Sequence, residues 1–363
     1  MIGRDVSPSG PQARSDALPD GLQLDDLLRR TVELQASDLH LTVGAAPMVR
    51  VHGELRALEG FSPLSPADAE GLIRPILPEP QRALLESRGQ ADFSHGVPGV
   101  GRFRCHVFRQ RGSWGLAVRV IPREIPPIER LGLPPVVLEL CERQDGLILV
   151  TGPTGSGKST TLAAMVDRIN ERRRSVIITL EDPIEYLHRH KSSIVNQREI
   201  GSDTASFAEA LRGALRADPD VVLVGEMRDL ETVATALRAA ETGHLVLSTL
   251  HTRGAAETVE RIVDMFPTEQ QRQVTLQLAS TIQGIISQRL LPRADGRGRV
   301  VACEVLVGTP AIRTLIRESK WHQIPAAMET GARFGMRTFE SALRMLADQG
   351  AISPQWLAGL RRD

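Results

Sequence analysis

The second half of the chain alternates short apolar runs with longer segments in which apolar residues recur every three or four positions. Runs of the first kind predict buried strands, and segments of the second kind predict helices that cover them. The predicted strands are Leu147–Val150, Val176–Leu180, Val221–Val224 and Leu245–Leu247. The predicted helices between them are Thr160–Ile169, Phe207–Arg216 and Leu230–Ala240. This order predicts an α/β fold with a parallel sheet that is covered on both faces.

The first half of the chain shows a different pattern, in which apolar and polar residues alternate one by one. Such alternation predicts strands with one buried face, and the turn residues between them favour antiparallel pairing. It is found in residues 39–43, 103–107 and 116–120. Ser65-Pro66 predicts the start of a short helix, with the serine as its cap. Residues 21–121 are therefore predicted to form a small α+β domain with an antiparallel sheet.

Proline marks the boundary between these two patterns. Five prolines lie in residues 122–135, which predicts a stiff linker between two domains. Residues 1–20 contain prolines, serines and glycines but no apolar core, which predicts a disordered tail rather than a signal peptide. The second domain is expected over residues 136–363. From about residue 268 its pattern becomes mostly helical, interrupted by a hairpin near residues 294–307.

Composition narrows the class of protein. Lysine plus arginine and aspartate plus glutamate number 44 each, and this balance argues against binding nucleic acid by bulk charge. No apolar run approaches the roughly 18 residues that a membrane-spanning helix needs. The three cysteines are far apart, so neither a disulfide framework nor a zinc site is predicted. Of the 44 basic residues only Lys158, Lys191 and Lys320 are lysine, and the other 41 are arginine.

The first of these lysines lies in a phosphate-binding motif. The segment GPTGSGKST follows one predicted strand and precedes a helix, and it satisfies the pattern G-x-x-x-x-G-K-[ST]. Glycines allow backbone N–H groups to surround phosphate oxygens, and the helix adds its positive amino end. Lys158 is expected to reach the β- and γ-phosphates of ATP, and Ser159 to ligate Mg²⁺. The expected nucleotide-binding residues are Gly152, Pro153, Thr154, Gly155, Ser156, Gly157, Lys158, Ser159 and Thr160.

Carboxylates follow two other predicted strands. Glu226 comes directly after Val221–Val224, with Gly225 at the position where an aspartate is usual. It is the candidate to polarise the attacking water and to hold Mg²⁺, partly through water. Glu181 and Glu185, with a third acid between them, follow the strand Val176–Leu180 and are further catalytic candidates. Surface caps and a solvated loop are the structural alternatives for these acids.

Two histidines flank the last predicted strand. His244 precedes Leu245–Leu250 and His251 follows it, so the strand separates them and a shared metal site is disfavoured. Because His251 lies at the end where ligands bind in parallel sheets, we expect a phosphate-sensing or interface role for the pair. Taken singly, each could be a packed structural histidine.

These residues, in this order, resemble the motifs of the secretion ATPase superfamily, whose members power type IV pili and type II secretion. The resemblance extends from about Leu24 to the end of the chain. It includes the Walker A motif, an acidic Asp box, an atypical Walker B motif and a His box, at residues 152–160, 181–185, 225–229 and 242–252. Residues 308–318 are similar to the AIRNLIRE signature of the retraction branch, the PilT type, with Thr314 in place of Asn. Residues 188–191 and 335–339 are more similar to the accessory PilU type, which is therefore the alternative.

The signature segment also has a pattern of its own. Thr309 can cap a helix that starts at Pro310. Arg313 and Arg317 are spaced four residues apart on a face distinct from the apolar one. One interpretation is an amphipathic helix docked on the core, and the other is a helix whose arginines contact a partner.

The resemblance implies a fold and a mechanism. It implies a RecA-like P-loop ATPase domain, preceded by a PAS-like α+β domain and followed by a helical C-terminal region. It implies a homohexamer in which the first domain of one subunit supplies arginines to the nucleotide of the next, and Arg104, Arg111 and Arg119 are the matching candidates. It further implies a cytoplasmic protein, peripheral at the inner membrane, that contacts the pilus platform protein and paralogous pilus ATPases.

Two competing functions are weighed against this one. Assembly and secretion ATPases of the PilB and GspE type carry a tetracysteine zinc module after Walker B, whereas only Cys303 lies downstream here. A nucleic-acid translocase on the same fold would need a basic channel with aromatic side chains, and aromatic residues make up only 3% of this chain. We therefore expect no nucleic-acid partner.

Overall fold

The computed structural model describes residues 21–122 and 124–358, and the chain divides into two compact units after Pro122. The tail predicted at residues 1–20 lies outside the described residues. Among the described residues no helix is both long enough and apolar enough to cross a membrane.

The first unit is an α+β domain. Its strands are β1 (Asp38–Leu41), β2 (Met48–Val51), β3 (Glu54–Ala57), β4 (Gln90–Val97), β5 (Gly101–Gln110) and β6 (Ser113–Val120). Its helices are α1 (Leu24–Glu33), α2 (Pro66–Ile73) and α3 (Glu79–Arg88), and a 3₁₀ turn spans Arg74–Ile76. The strands form one antiparallel sheet in the order β3-β2-β1-β6-β5-β4.

The alternation along these strands separates a buried face from an exposed one. Phe103, Cys105 and Val107 on β5 are fully buried, while Arg104 between them is exposed. Helix α1 buries Leu27 and its apolar neighbours in the same core. The sheet therefore has the one-sided character that its sequence predicts.

The second unit contains a seven-stranded sheet. Its strands are β7 (Gly146–Thr151), β8 (Val176–Glu181), β9 (Ile194–Glu199), β10 (Val221–Val224), β11 (Leu245–Leu250), β12 (Ile282–Pro292) and β13 (Arg299–Val307). Their order is β13-β12-β7-β11-β10-β8-β9, and all neighbours are parallel except β12 and β13. Strands β7, β10 and β11 are buried along their whole length, which explains their uninterrupted apolar sequences.

Helices surround this sheet, and some of them pack on other helices and not on the strands. They are α4 (Val136–Cys141), α5 (Lys158–Arg172), α6 (Phe207–Ala214), α7 (Leu230–Glu241), α8 (Ala255–Asp264), α9 (Thr268–Thr281), α10 (Pro310–Arg317), α11 (Ile324–Thr330), α12 (Phe339–Asp348) and α13 (Gln355–Ala358). Three 3₁₀ turns span Ile128–Arg130, Trp321–Gln323 and Ala332–Phe334. The α/β fold class that the sequence predicts is thus confirmed.

Two features go beyond the sequence pattern. The hairpin expected within the helical C-terminal region is part of the main sheet, because β12 pairs in parallel with β7. In the proline-rich segment, Ile128 is buried in the core of the second unit and Ile125 and Leu131 pack against that core. The apolar side chains between the prolines attach this segment to the second unit.

Candidate functional site

The segment Gly152–Ser159, here called the phosphate loop, leaves the buried end of β7 and enters α5. Gly152, Gly155 and Gly157 have φ values of 139°, 78° and 90°. A Cβ atom at Gly152 would lie 2.4 Å from the backbone oxygen of Gln288 on the neighbouring strand. Glycine is therefore required both by the backbone conformation and by the close approach of β12.

The amino end of α5 lacks a side-chain cap. The helix begins after Gly157, which has no side chain, so its first N–H groups are left for a ligand. The buried Ser156 hydroxyl also has no hydrogen-bond partner among the described residues. Uncapped amides at a helix amino end, together with this hydroxyl, suit the oxygens of a polyphosphate.

Lys158 lies over this loop and is 9% exposed. Its Nζ donates to the backbone oxygens of Gly152 at 2.8 Å and Pro153 at 3.1 Å. Burial lowers the pKa of Lys158, and the negative charges of Glu226 and Glu185 oppose that change. The ammonium group is thus held at the phosphate position by backbone oxygens that a phosphate can replace.

Glu226 follows the end of β10 on the next wall of the site. Its side chain is 12% exposed, with Arg228 Nε 2.6 Å from Oε1 and His251 Nε2 3.5 Å from Oε2. Thr249 on β11 donates its hydroxyl to the backbone oxygen of Gly225 at 2.7 Å, which fixes the segment that carries Glu226. Parallel pairing of β10 and β11 therefore brings Glu226 and His251 together.

Residues 181–188, here called the acidic loop, begin at Glu181, the last residue of β8. Oε1 of Glu181 accepts hydrogen bonds from Thr179 Oγ1 at 2.6 Å and Gln197 Nε2 at 3.0 Å. Burial raises the pKa of Glu181 above its usual value, which favours its neutral form more than for an exposed glutamate. Glu185 is exposed and faces the same space. The two acids thus differ in environment.

These parts enclose a cavity of about 460 Å³. It is lined by the phosphate loop, the acidic loop, the ends of β10 and β11, and the β12–β13 hairpin. Its polar lining includes Ser159, Glu181, Glu185, Glu226, His251 and Arg299. A cation at one side, carboxylates at the other and a hydroxyl between them form a donor set that fits a nucleotide with a divalent cation.

Comparison with known proteins agrees with this geometry. The family described as "Type II/IV secretion system protein" matches residues 130–350. The type IV pilus retraction ATPase PilT of Pseudomonas aeruginosa is 48% identical over 332 residues, covering 92% of this chain and 96% of that protein. The chain belongs to the PilT-like ATPases of this family.

Two further matches support the membership. A crystal structure of the pilus retraction motor PilT with bound ADP superposes with a TM-score of 0.86 at 55% identity, covering 94% of this chain and 98% of that one. The type IV pilus ATPase PilU of Pseudomonas aeruginosa is 40% identical over 332 residues, covering 92% of this chain and 87% of that protein. As a PilT-like protein the chain is an ATPase.

The structure does not bring every predicted residue of this ATPase to the cavity. His244 precedes the amino end of β11, so that strand separates it from His251 by roughly 20 Å. Its Nδ1 lies 3.0 Å from the backbone oxygen of Ala239 and 3.2 Å from the hydroxyl of Thr242. Within its own subunit His244 therefore closes the turn between α7 and β11 and is not at the phosphates.

The candidate arginines of the PilT-like motor lie in the first unit. Arg104 on β5 pairs in register with Arg119 on β6, and both side chains are exposed. Arg119 Nε donates to Asp38 at 3.0 Å, and Arg111 lies at the turn between β5 and β6 with a φ of 49°. Arg104 and Arg119 thus lie side by side on the sheet of the first unit, and the action of the three arginines on a neighbouring subunit's nucleotide stays a prediction.

Several site residues of this ATPase were not predicted from the sequence. Thr249, Tyr186 and Arg299 line the cavity, and Gln197 lies behind the acidic loop. The signal that could have found Thr249 is the pair of adjacent hydroxyl residues, Ser248 and Thr249, in an otherwise apolar strand. Arg299 carries no such signal, because the sequence does not show that the C-terminal hairpin joins the main sheet.

Proposed function

We propose that this protein is a hexameric motor that couples ATP hydrolysis to the retraction of type IV pili. The observation that carries the proposal is the shared cavity of Lys158 and Glu226, at the carboxyl ends of two strands of one sheet. Enzymes of this class need a phosphate-binding cation and a carboxylate that orients the attacking water at such a position. The 48% identity to a pilus retraction ATPase supports retraction, and not assembly, as the work that is done.

In this proposal each wall of the cavity has its own task. The amides of the phosphate loop and Lys158 bind and orient the β- and γ-phosphates. Ser159 and, through water, Glu226 would hold Mg²⁺, which neutralises negative charge on the phosphates. Glu226 polarises the attacking water, and His251, 3.5 Å from its carboxylate, lies where it can sense the γ-phosphate.

We further propose that the site is completed by a neighbouring subunit. The exposed arginines Arg104 and Arg119 of the first unit are suited to contact the nucleotide of an adjacent copy, as an arginine finger does. Closing and opening of adjacent subunits would then transmit force to an inner-membrane platform protein from the cytoplasmic side. An accessory role of the PilU type is the alternative, and the lower identity to PilU, 40%, disfavours it.

Imaging of pili in cells tests the direction of force. Deletion of the gene should leave long pili that do not retract and should abolish surface motility. A plasmid copy should restore both, and the same copy with Lys158→Ala should not. Cells without pili after the deletion would contradict retraction and indicate an assembly role.

A further inference from the structure

Gln197 makes three hydrogen bonds to the acidic loop although it does not line the cavity. It lies on β9, the edge strand, beside Thr179 of β8. Its Nε2 donates to Glu181 Oε1 at 3.0 Å and to the backbone oxygen of Tyr186 at 2.8 Å. Its Oε1 accepts from the backbone N–H of His188 at 2.8 Å. The nitrogen and the oxygen of the Gln197 amide thus both form hydrogen bonds with the same loop.

The residues on either side of Glu185 are held in place by contacts outside the loop. The N–H of Ile184 donates to Glu199 Oε2 at 3.2 Å, and Ile184 itself is buried. Tyr186 is held through its backbone by Gln197, and its hydroxyl lies 2.9 Å from that of Thr160 in the first turn of α5. Glu185 therefore projects into the cavity from a segment that is anchored on both sides.

A carboxylate that acts on a bound nucleotide must keep its place to within a fraction of an ångström. Ile184 is the one buried residue of this eight-residue loop, so apolar packing restrains the loop little and hydrogen bonds must supply the remaining order. After Glu185 three contacts hold the loop. Two join backbone groups of the loop to the amide of Gln197, and the third joins the hydroxyls of Tyr186 and Thr160. The Gln197 amide also fixes which oxygen of Glu181 is turned away from β9.

We propose that Gln197 is a positioning residue for ATP hydrolysis, which orients Glu181 and Glu185 toward the phosphate loop without touching the nucleotide. This role rests on the proposed ATPase site. It predicts that loss of the amide lowers the rate of the chemical step while nucleotide binding, which depends on the phosphate loop, is retained.

Steady-state ATPase kinetics of the full-length protein test this role. Gln197→Met, which keeps the length of the side chain without its polar atoms, should lower kcat by about 10- to 100-fold. Its KM for ATP should stay within about threefold of the wild-type value. Gln197→Glu, which keeps the acceptor but loses both donors, should lower kcat as well. Asn196→Ala, at the exposed neighbouring position on β9, is the matched control and should leave both constants unchanged.

A spectroscopic readout separates misplacement of the loop from general instability. Tyr186 is the single tyrosine of the sequence, so 3-fluorotyrosine labelling gives one ¹⁹F resonance from the acidic loop. The resonance should broaden or split in Gln197→Met and stay unchanged in Asn196→Ala. Wild-type kcat in both Gln197 variants would overturn the positioning role, whatever the resonance shows.

Lys158→Ala distinguishes this failure from failure of the site itself. If Lys158→Ala is inactive while both Gln197 variants are fully active, only the positioning role is lost. If Lys158→Ala keeps the wild-type rate, the assigned ATPase site is wrong, and the role of Gln197 is wrong with it.

Discussion

Lys158 is one of three lysines in a chain whose other basic residues are all arginine. Lys191 pairs with Asp167 at 2.8 Å and Glu171 at 2.6 Å on the outside of α5, and Lys320 pairs with Glu318 at 2.7 Å. Both lysines make surface ion pairs that an arginine could also make. Lys158 instead donates to backbone oxygens of a closed loop, where a slender ammonium group fits and a planar guanidinium does not.

The same conservative change at the three lysines should therefore have different effects. Lys158→Arg should lower ATP turnover by about 100-fold or more, because a planar guanidinium cannot place its charge where the compact ammonium meets the phosphates. Lys191→Arg and Lys320→Arg should each retain turnover within about twofold. ATPase assays on the three purified variants measure this difference. Equal activity of all three would contradict the assigned role of Lys158.

Most of the residues that we assign to phosphate binding can be proposed from the sequence, whereas their supporting contacts cannot. The phosphate loop is recognisable because its glycines, lysine and serine are required at fixed spacing between a strand and a helix. Gln197 has no comparable signature. Its importance arises from the pairing of β9 with β8, a contact between segments about 20 residues apart that local patterns do not encode.

At the scale of single elements, the contacts of α10 show how its apolar face and its two arginines are placed. Ile312 and Ile316 are buried, as an apolar face predicts. Arg313 is not free on the opposite face, because Nε donates to the backbone oxygen of Gly308 at 2.8 Å and its NH1 group to the backbone oxygens of Ala279 and Ser280 near the carboxyl end of α9. Arg317, one turn later, is exposed and bonds only locally to Thr314.

The two arginines of α10 should therefore differ in their effect on stability. Arg313→Ala should lower the free energy of unfolding by about 1–3 kcal/mol, since it leaves carbonyl groups of α9 without a charged donor. Arg317→Ala should change it by less than about 0.5 kcal/mol. Chemical denaturation of the full-length protein measures both values. A larger loss for Arg317→Ala would contradict the difference.

At the scale of the whole molecule, the sheet of the second unit decides which predicted residues meet. Strands β7, β8, β10 and β11 are parallel, so the residues that follow them collect at one edge. Glu181 is the last residue of such a strand, and the phosphate loop, Glu226 and His251 each follow one. His244 instead precedes β11, so it lies at the opposite edge of the sheet and away from the cavity.

The sequence was sufficient to predict the α/β class and the ends of these strands, because both depend on local apolar patterns. It was not sufficient for the place of the C-terminal hairpin, because pairing of β12 with β7 joins residues more than 100 positions apart. Arg299 enters the cavity only through that pairing. The action that we propose for Arg104 and Arg119 would need a second copy of the chain, so a local sequence pattern cannot determine it.

The assignment of Glu226 is tested most directly by single-turnover hydrolysis of ATP by Glu226→Gln. This change keeps the size of the side chain and removes the charge that polarises water. The variant should bind ATP with a Kd within about threefold of the wild-type value and cleave it at least about 100-fold more slowly. Cleavage at the wild-type rate would contradict the assignment and move the catalytic base to Glu185 or Glu181.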